Sequence, residues 1–173
     1  MSGKILVTYA SRTGSTIGVA EAVAQTLIDH KLEVDVLPMQ DVASVAPYHA
    51  VVAGSAIQAG AWLPEAMQFL KTHQRQLNQK PFAAFLVCMT LALKNESMRE
   101  QANVGNWLQP VRALVRPISE GLFAGILDIS KVPSFSERMK FRVSVLSGVW
   151  SEGDHRDWDA IHTWADELSD LLQ

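Results

Sequence analysis

The chain has 173 residues, 48% of them hydrophobic, with a single cysteine and a formal net charge of −3. That is enough apolar material for one sizeable core in a single domain, 1–173, and the charge gives no global support for a nucleic-acid partner. A lone Cys88 rules out an internal disulfide framework and a cysteine-rich metal cluster, so a reducing cytoplasm is the expected compartment.

The first informative stretch is Lys4 to Thr16, KILVTYASRTGST. Ile5 to Tyr9 reads as a buried strand, and Ile17, Ala20, Val23, Ala24 and Leu27 recur at helical spacing after it. The turn between them carries Ser11, Thr13, Ser15 and Thr16 around Gly14. The first turn of a helix has backbone N–H groups without intrahelical partners, and its dipole favours negative charge. Hydroxyls beside those groups complete a cage for a phosphate, and none of the cage needs to be basic. The competing reading is a helix capped by Ser or Thr. The turn lacks both G-x-G-x-x-G and G-x-x-x-x-G-K-[ST], which excludes the usual dinucleotide and nucleoside triphosphate loops. No basic-then-apolar leader is visible ahead of the strand, so no signal peptide is expected, and no later apolar run reaches transmembrane length.

Further along, Glu33 to Leu37 alternates as a second strand and His49 to Ser55 gives a third. Strand, helix and strand at this spacing form a right-handed βαβ unit, so the sheet is expected to be parallel. Leu63 to Leu77 is a helix with Pro64 in its first turn, and Phe82 to Met89 is apolar throughout, as in a strand covered on both faces. Asn103 to Arg116 is a weaker helix, and Ile118 to Leu127 holds a fifth strand. Phe135 to Val149 is one more helix, and Asp157 to Leu172 closes the chain with an amphipathic one. The expected architecture is α/β: a doubly wound five-stranded parallel sheet of order 2-1-3-4-5, with a segment at about 128–150 inserted before the last helix.

In such a sheet a ligand sits beyond the carboxyl ends of the strands, where the strand order switches. The loop from Ser55 to Trp62 therefore matters, with Ala56, Ile57, Gln58, Ala59 and Gly60 small or unobtrusive enough to let the backbone approach a flat ring. Trp62 either stacks on that ring or packs in the core, and Gln58 either meets the ring edge or faces water. In the loop after the fourth strand, Thr90 and Leu91 follow directly, and Thr90 either donates to a ligand or caps the loop. Cys88, inside the strand, reads as a small buried hydrophobe, and the five histidines form no metal-ligand pattern.

The inserted segment is unusual in its charge. From Lys131 to Gly148 it carries Lys131, Arg138, Lys140 and Arg142 against Glu137, a local +3 in a chain of −3. Phe135, Met139, Val143 and Leu146 fall on one side of its helix. Such a helix can pack on its own domain, cover an apolar, acid-bearing ligand, or lie at an anionic membrane surface.

The pattern [ST]-x-T-G-x-T at Ser11, Thr13, Gly14 and Thr16, at the end of a first strand, resembles the phosphate loop of the flavodoxin family, which binds flavin mononucleotide (FMN). The resemblance narrows with Gly54-Ser55-Ala56-Ile57, Gly60, the cationic insertion and the ending Gly153-Asp154, Asp157-Trp158 and Trp164-Ala165. Together these look like the flavodoxin-type, quinone-dependent protoporphyrinogen oxidases of bacteria. That likeness implies an FMN-dependent oxidoreductase that passes electrons from protoporphyrinogen IX to a quinone, cytoplasmic and peripheral on the inner membrane face.

On this reading Ser11, Arg12, Thr13, Gly14, Ser15 and Thr16 hold the phosphate. Ala56 to Gly60, Trp62, Thr90 and Leu91 frame the ring, and Arg138, Lys140 or Arg142 attract the propionates. No residue declares itself an acid or base catalyst. Where those oxidases tend to have an arginine and a tyrosine after strand three, this chain has Gln58 and Ala59. The alternatives are a soluble electron carrier that serves redox-protein partners, and a scaffold on the same fold.

Overall fold

The computed structural model describes residues 3–173. Five parallel strands make the main sheet: β1 (Ile5–Ala10), β2 (Val34–Pro38), β3 (Ala50–Gln58), β5 (Phe82–Cys88) and β6 (Ser119–Ala124). Their spatial order is β2-β1-β3-β5-β6, and β4 (Ala61–Trp62) returns antiparallel on β3. Counting parallel strands alone, this is the expected 2-1-3-4-5. The order reverses at β1, whose register runs Ile5 against Val34 on one side and against Ala50 on the other.

Helices cover both faces, which is why the central strand β5 is apolar at every position. One layer is α1 (Ser15–Asp29) with α6 (Trp158–Leu171), packed on Ile5, Val7, Val52 and Phe85. The other is α2 (Pro64–Leu77) and α4 (Gln109–Leu114), packed on Leu6, Val51, Ala84 and Leu86. Phe85 is fully buried between Phe123 and Trp164, with ring centroids 6.2 and 5.9 Å away. Trp164 anchors α6 by donating from Nε1 to Ser119 Oγ at 2.9 Å. Trp158, the first residue of that helix, is exposed and lies under the Arg156 guanidinium at 4.4 Å.

Several local elements differ from expectation. β3 continues to Gln58, so Ala56 to Gln58 is strand; the turn is only Ala59-Gly60, both with positive φ (51° and 73°). Positive φ at both central residues is the two-residue hairpin turn whose twist matches the flanking strands. A short helix, α3 (Glu96–Ala102), precedes α4, and the start of the expected Asn103–Arg116 helix is a 3-10 turn, Val104–Leu108. The insertion consists of β7 (Ile126–Leu127), a 3-10 turn at Ile129–Lys131, α5 (Phe135–Leu146) and β8 (Gly153–Asp154), which pairs with β7. No helix among the described residues is long and apolar enough to cross a membrane.

Candidate functional site

The turn from β1 into α1 is organised by its own side chains. Ser11 Oγ accepts the Gly14 N–H at 3.1 Å, and Gly14 takes φ 93°, ψ −8°, a conformation that L side chains resist. Gly14 is the N-cap of α1, so no side chain caps the helix. The capping alternative for the serines and threonines of this turn therefore does not hold. Thr13 is exposed, whereas Thr16 is fully buried and its hydroxyl has no hydrogen-bond partner. A buried hydroxyl without a partner costs free energy unless a ligand supplies one.

Arg12 does not bring free positive charge to the turn. Its guanidinium forms a two-pronged pair with Glu65 in the first turn of α2, with Nη2 3.0 Å from Oε2. Each partner shifts the other: the pair holds the Glu65 carboxyl below its ordinary range and the guanidinium above its own. An anion at the turn would be met by hydroxyls, backbone N–H groups and the α1 dipole.

Beside the turn a cleft of about 530 Å³ opens along the carboxyl ends of the strands, the position expected of a ligand in this architecture. Its size lies within the roughly 300–1,000 Å³ typical of small-molecule sites. One end is Arg12, Thr13 and Ser15. The middle is Ala56 to Ala59 from the β3–β4 hairpin, with Val87 and Cys88 at the end of β5 and Met89 just beyond it. The far wall is the insertion: Gly125 to Asp128, Val132 to Ser134, and Glu137 and Phe141 of α5. Phe141 is braced by Trp150, centroids 5.4 Å apart.

Two side chains, Ser55 and Arg156, fix this geometry. Ser55, fully buried, donates from Oγ to the Ala56 carbonyl (2.8 Å) and accepts the Leu63 N–H (3.1 Å), locking the hairpin to the start of α2. Arg156 pairs with Asp154 of β8 (2.7 Å) and donates to the Ser15 carbonyl at 3.4 Å, which ties the insertion to the first turn of α1. Gly18 faces that guanidinium with no room for a Cβ.

The cleft thus gathers Arg12, Thr13, Ser15, Ala56, Ile57, Gln58 and Ala59 of the residues singled out from the sequence. Others lie elsewhere. Trp62 is 3% exposed inside the core, so of its two readings packing is the one the structure displays. Gly60 sits beneath Trp107, and Thr90 and Leu91, in the 3-10 turn Met89–Ala92, do not themselves line the cleft. Arg138, Lys140 and Arg142 do not line the cleft either. Lys140 and Arg142 are exposed, and Arg138 donates to the Pro133 carbonyl at 3.3 Å. The α5 residues that reach the cleft are Glu137 and Phe141, four apart and so on one face of the helix.

Sequence reasoning missed this wall because periodicity names the two faces of a helix without saying which turns inward. Burial pushes the Cys88 thiol upward, so it remains protonated and supplies no thiolate. No group of three or more His, Cys, Asp or Glu residues able to hold a metal ion occurs among the described residues.

A parallel sheet that reverses at its first strand, with a hydroxyl-lined turn leading into the neighbouring helix, defines a flavodoxin-like protein. The Flavodoxin domain family matches residues 6–148, and the chain belongs to that family. Among solved structures, it is similar to a flavodoxin from the domain Archaea (TM-score 0.56, 16% identity, 98% of each chain). It is also similar to a Streptococcus pneumonia TIGR4 flavodoxin (TM-score 0.58, 16% identity, 98% of this chain and 99% of that one).

The curated relatives are more particular. Protoporphyrinogen IX dehydrogenase (quinone) of Leishmania major is 27% identical, over 98% of this chain and 76% of its own length. The protein of that name from Escherichia coli K12 is 26% identical, over 97% of this chain and 96% of its own.

Proposed function

We propose that this protein is an FMN-dependent oxidoreductase that oxidises protoporphyrinogen IX and passes the electrons to a quinone. The observation that carries the cofactor is Thr16: a fully buried hydroxyl without a partner, in the first turn of the helix that borders the cleft. The relatives of that name, matched along nearly the whole chain, support the substrate and acceptor. The insertion supports an enzyme over a bare carrier, because it walls the cleft where a second molecule would approach.

FMN, when bound, supplies a two-electron hydride acceptor. The chain's own residues do the rest. Ser11 holds Gly14 in its left-handed conformation, and Thr13, Ser15 and Thr16 with the α1 amides grip the phosphate. The β3–β4 hairpin, through Ala56, Ile57, Gln58 and Ala59, lies along the ring edge. Val132, Pro133 and Phe141 exclude water from the opposite side. Glu137 is the carboxylate on that wall, since the Asp128 carboxylate is engaged by Ser130 and Lys131.

The carrier reading shares the cofactor and differs in the partner. Neither the Ser55–Trp62 hairpin nor Met89–Asn95 carries an acid, so the dense acidic rim usual for carriers is missing there. The deciding experiment is anaerobic oxidation of protoporphyrinogen IX by the FMN-loaded protein with a soluble quinone, followed by porphyrin fluorescence. Turnover is expected, with a marked fall when 131–148 is replaced by a short linker. Absence of turnover, with rapid reduction of the bound flavin by a ferredoxin or flavodoxin reductase, would establish the carrier.

A further inference from the structure

Oxidation of a porphyrinogen removes hydrogen both as hydride and as proton. The flavin takes the hydride, and the proton needs a positioned acceptor. Four ionisable side chains line the cleft: Arg12, Cys88, Asp128 and Glu137. Three are already committed. Arg12 is paired with Glu65, burial keeps the Cys88 thiol protonated, and Asp128 is engaged by Ser130 and Lys131. The Glu137 carboxylate alone has no hydrogen bond or ion pair among the described residues.

Its place in the sequence makes that freedom informative. Ser134-Phe135-Ser136-Glu137 has the spelling of a capping box. In such a box the serine hydroxyl accepts the N–H three residues on, and the carboxylate there reaches back to the serine N–H. Only the first half forms: Ser134 Oγ accepts the Glu137 N–H at 3.5 Å. Among the described residues no bond runs from the Ser134 N–H back to the carboxylate. The Glu137 side chain lines the cleft instead, one turn before Phe141, which Trp150 braces. The cations nearest in sequence are directed elsewhere, Lys131 to Asp128 at 3.7 Å and Arg138 to the Pro133 carbonyl at 3.3 Å.

We propose that Glu137 is the catalytic base of the oxidation, accepting the proton that the tetrapyrrole gives up as its hydride departs. The role rests on the activity proposed above. In the first two-electron step a bridging C–H of the porphyrinogen breaks, and the hydrogen leaves with the electron pair as hydride to the flavin. The cation left behind is shared with the adjoining pyrrole. That pyrrole's N–H then breaks: the proton passes to the Glu137 carboxylate, and the electron pair stays on the nitrogen of a new C=N bond. Glu137 is exposed, so the proton passes on to water and the carboxylate is restored for the next step.

The test compares Glu137→Gln and Glu137→Asp with the parent, each loaded with FMN. Glutamine keeps the size and the capping capacity and removes only the base, so flavin content and thermal midpoint should match the parent's. Anaerobic single-turnover reduction of the flavin by protoporphyrinogen IX should slow about a hundredfold or more in Glu137→Gln, and less than about tenfold in Glu137→Asp. In the parent kcat/KM should fall toward acid pH as a proton occupies the carboxylate, and Glu137→Gln should lack that limb. Protein whose flavin is already reduced permits binding and forbids transfer. Anaerobic dialysis against it should give Glu137→Gln an affinity for protoporphyrinogen IX within about threefold of the parent's. A parent rate in Glu137→Gln, or an affinity that falls in step with the rate, would overturn the role and leave the proposed function standing. A parent whose flavin protoporphyrinogen IX does not reduce would overturn both.

Discussion

Ser11 Oγ accepts the Gly14 N–H at 3.1 Å and closes the turn that leads into α1. Gly14 sits at φ 93° with nothing within 4 Å of where a Cβ would project, so the residue is required by conformation and not by crowding. Gly14→Ala should destabilise this turn by roughly 1–2 kcal/mol and weaken FMN binding about tenfold. Flavin fluorescence quenching during titration of the apoprotein measures this; unchanged affinity would show that the turn does not shape the phosphate site.

Thr16 allows a sharper separation. Its hydroxyl is buried without a partner, so Thr16→Val removes no hydrogen bond from the apoprotein and should leave its unfolding midpoint unchanged or raised. The same substitution should weaken FMN binding roughly tenfold to a hundredfold, the value of a hydrogen bond to a charged group. A loss of apoprotein stability with no loss of FMN affinity would mean that the hydroxyl serves the fold.

The legible and illegible parts of this molecule divide along a physical line. The β1 turn was readable because its chemistry is local: strand, hydroxyls, Gly14 and helix follow one another in sequence. The parallel order was readable because β-strands buried on both faces lose their alternation, as Phe82 to Cys88 does. Trp62 was not, since stacking and core packing ask for the same residue and only tertiary contacts separate them. The orientation of α5 was hidden for a related reason: Phe141 and Phe135 are alike in sequence, and one faces the cleft while the other faces water. The two-residue strands β4, β7 and β8 are too short to carry any periodicity.

The core offers a stability test independent of any ligand. Gly54 of β3 lies directly beside Phe85 of β5, and a Cβ at Gly54 would collide with the Phe85 ring. That ring cannot yield, because Phe123 and Trp164 hold it from the other sides. Gly54→Ala should therefore destabilise by about 1–3 kcal/mol in urea denaturation. A change near zero would imply a looser core than the one described.

Acid sensitivity has an identifiable source. Asp35 pairs with Lys4 Nζ at 2.7 Å and accepts the Tyr48 hydroxyl at 2.9 Å, which holds its carboxyl below the ordinary range. Arg12 lowers Glu65 and Arg156 lowers Asp154 in the same way. A carboxyl lowered on folding adds stability above its unfolded pKa of about 4, and that stability is lost as pH falls through the folded value. Denaturation midpoints should thus drop below about pH 4, and less steeply for Asp35→Asn than for the parent. An identical acid limb in the variant would remove Asp35 from the account.

The central claim is that the β1–α1 turn holds the terminal phosphate of a flavin. Parallel titrations of the apoprotein with FMN and with riboflavin, which differ by that phosphate alone, test it most directly. The account predicts stoichiometric FMN binding with quenched fluorescence, and riboflavin binding weaker by roughly a hundredfold or more, as expected of several charge-assisted hydrogen bonds. Equal affinity for the two, or no binding of FMN, would contradict it.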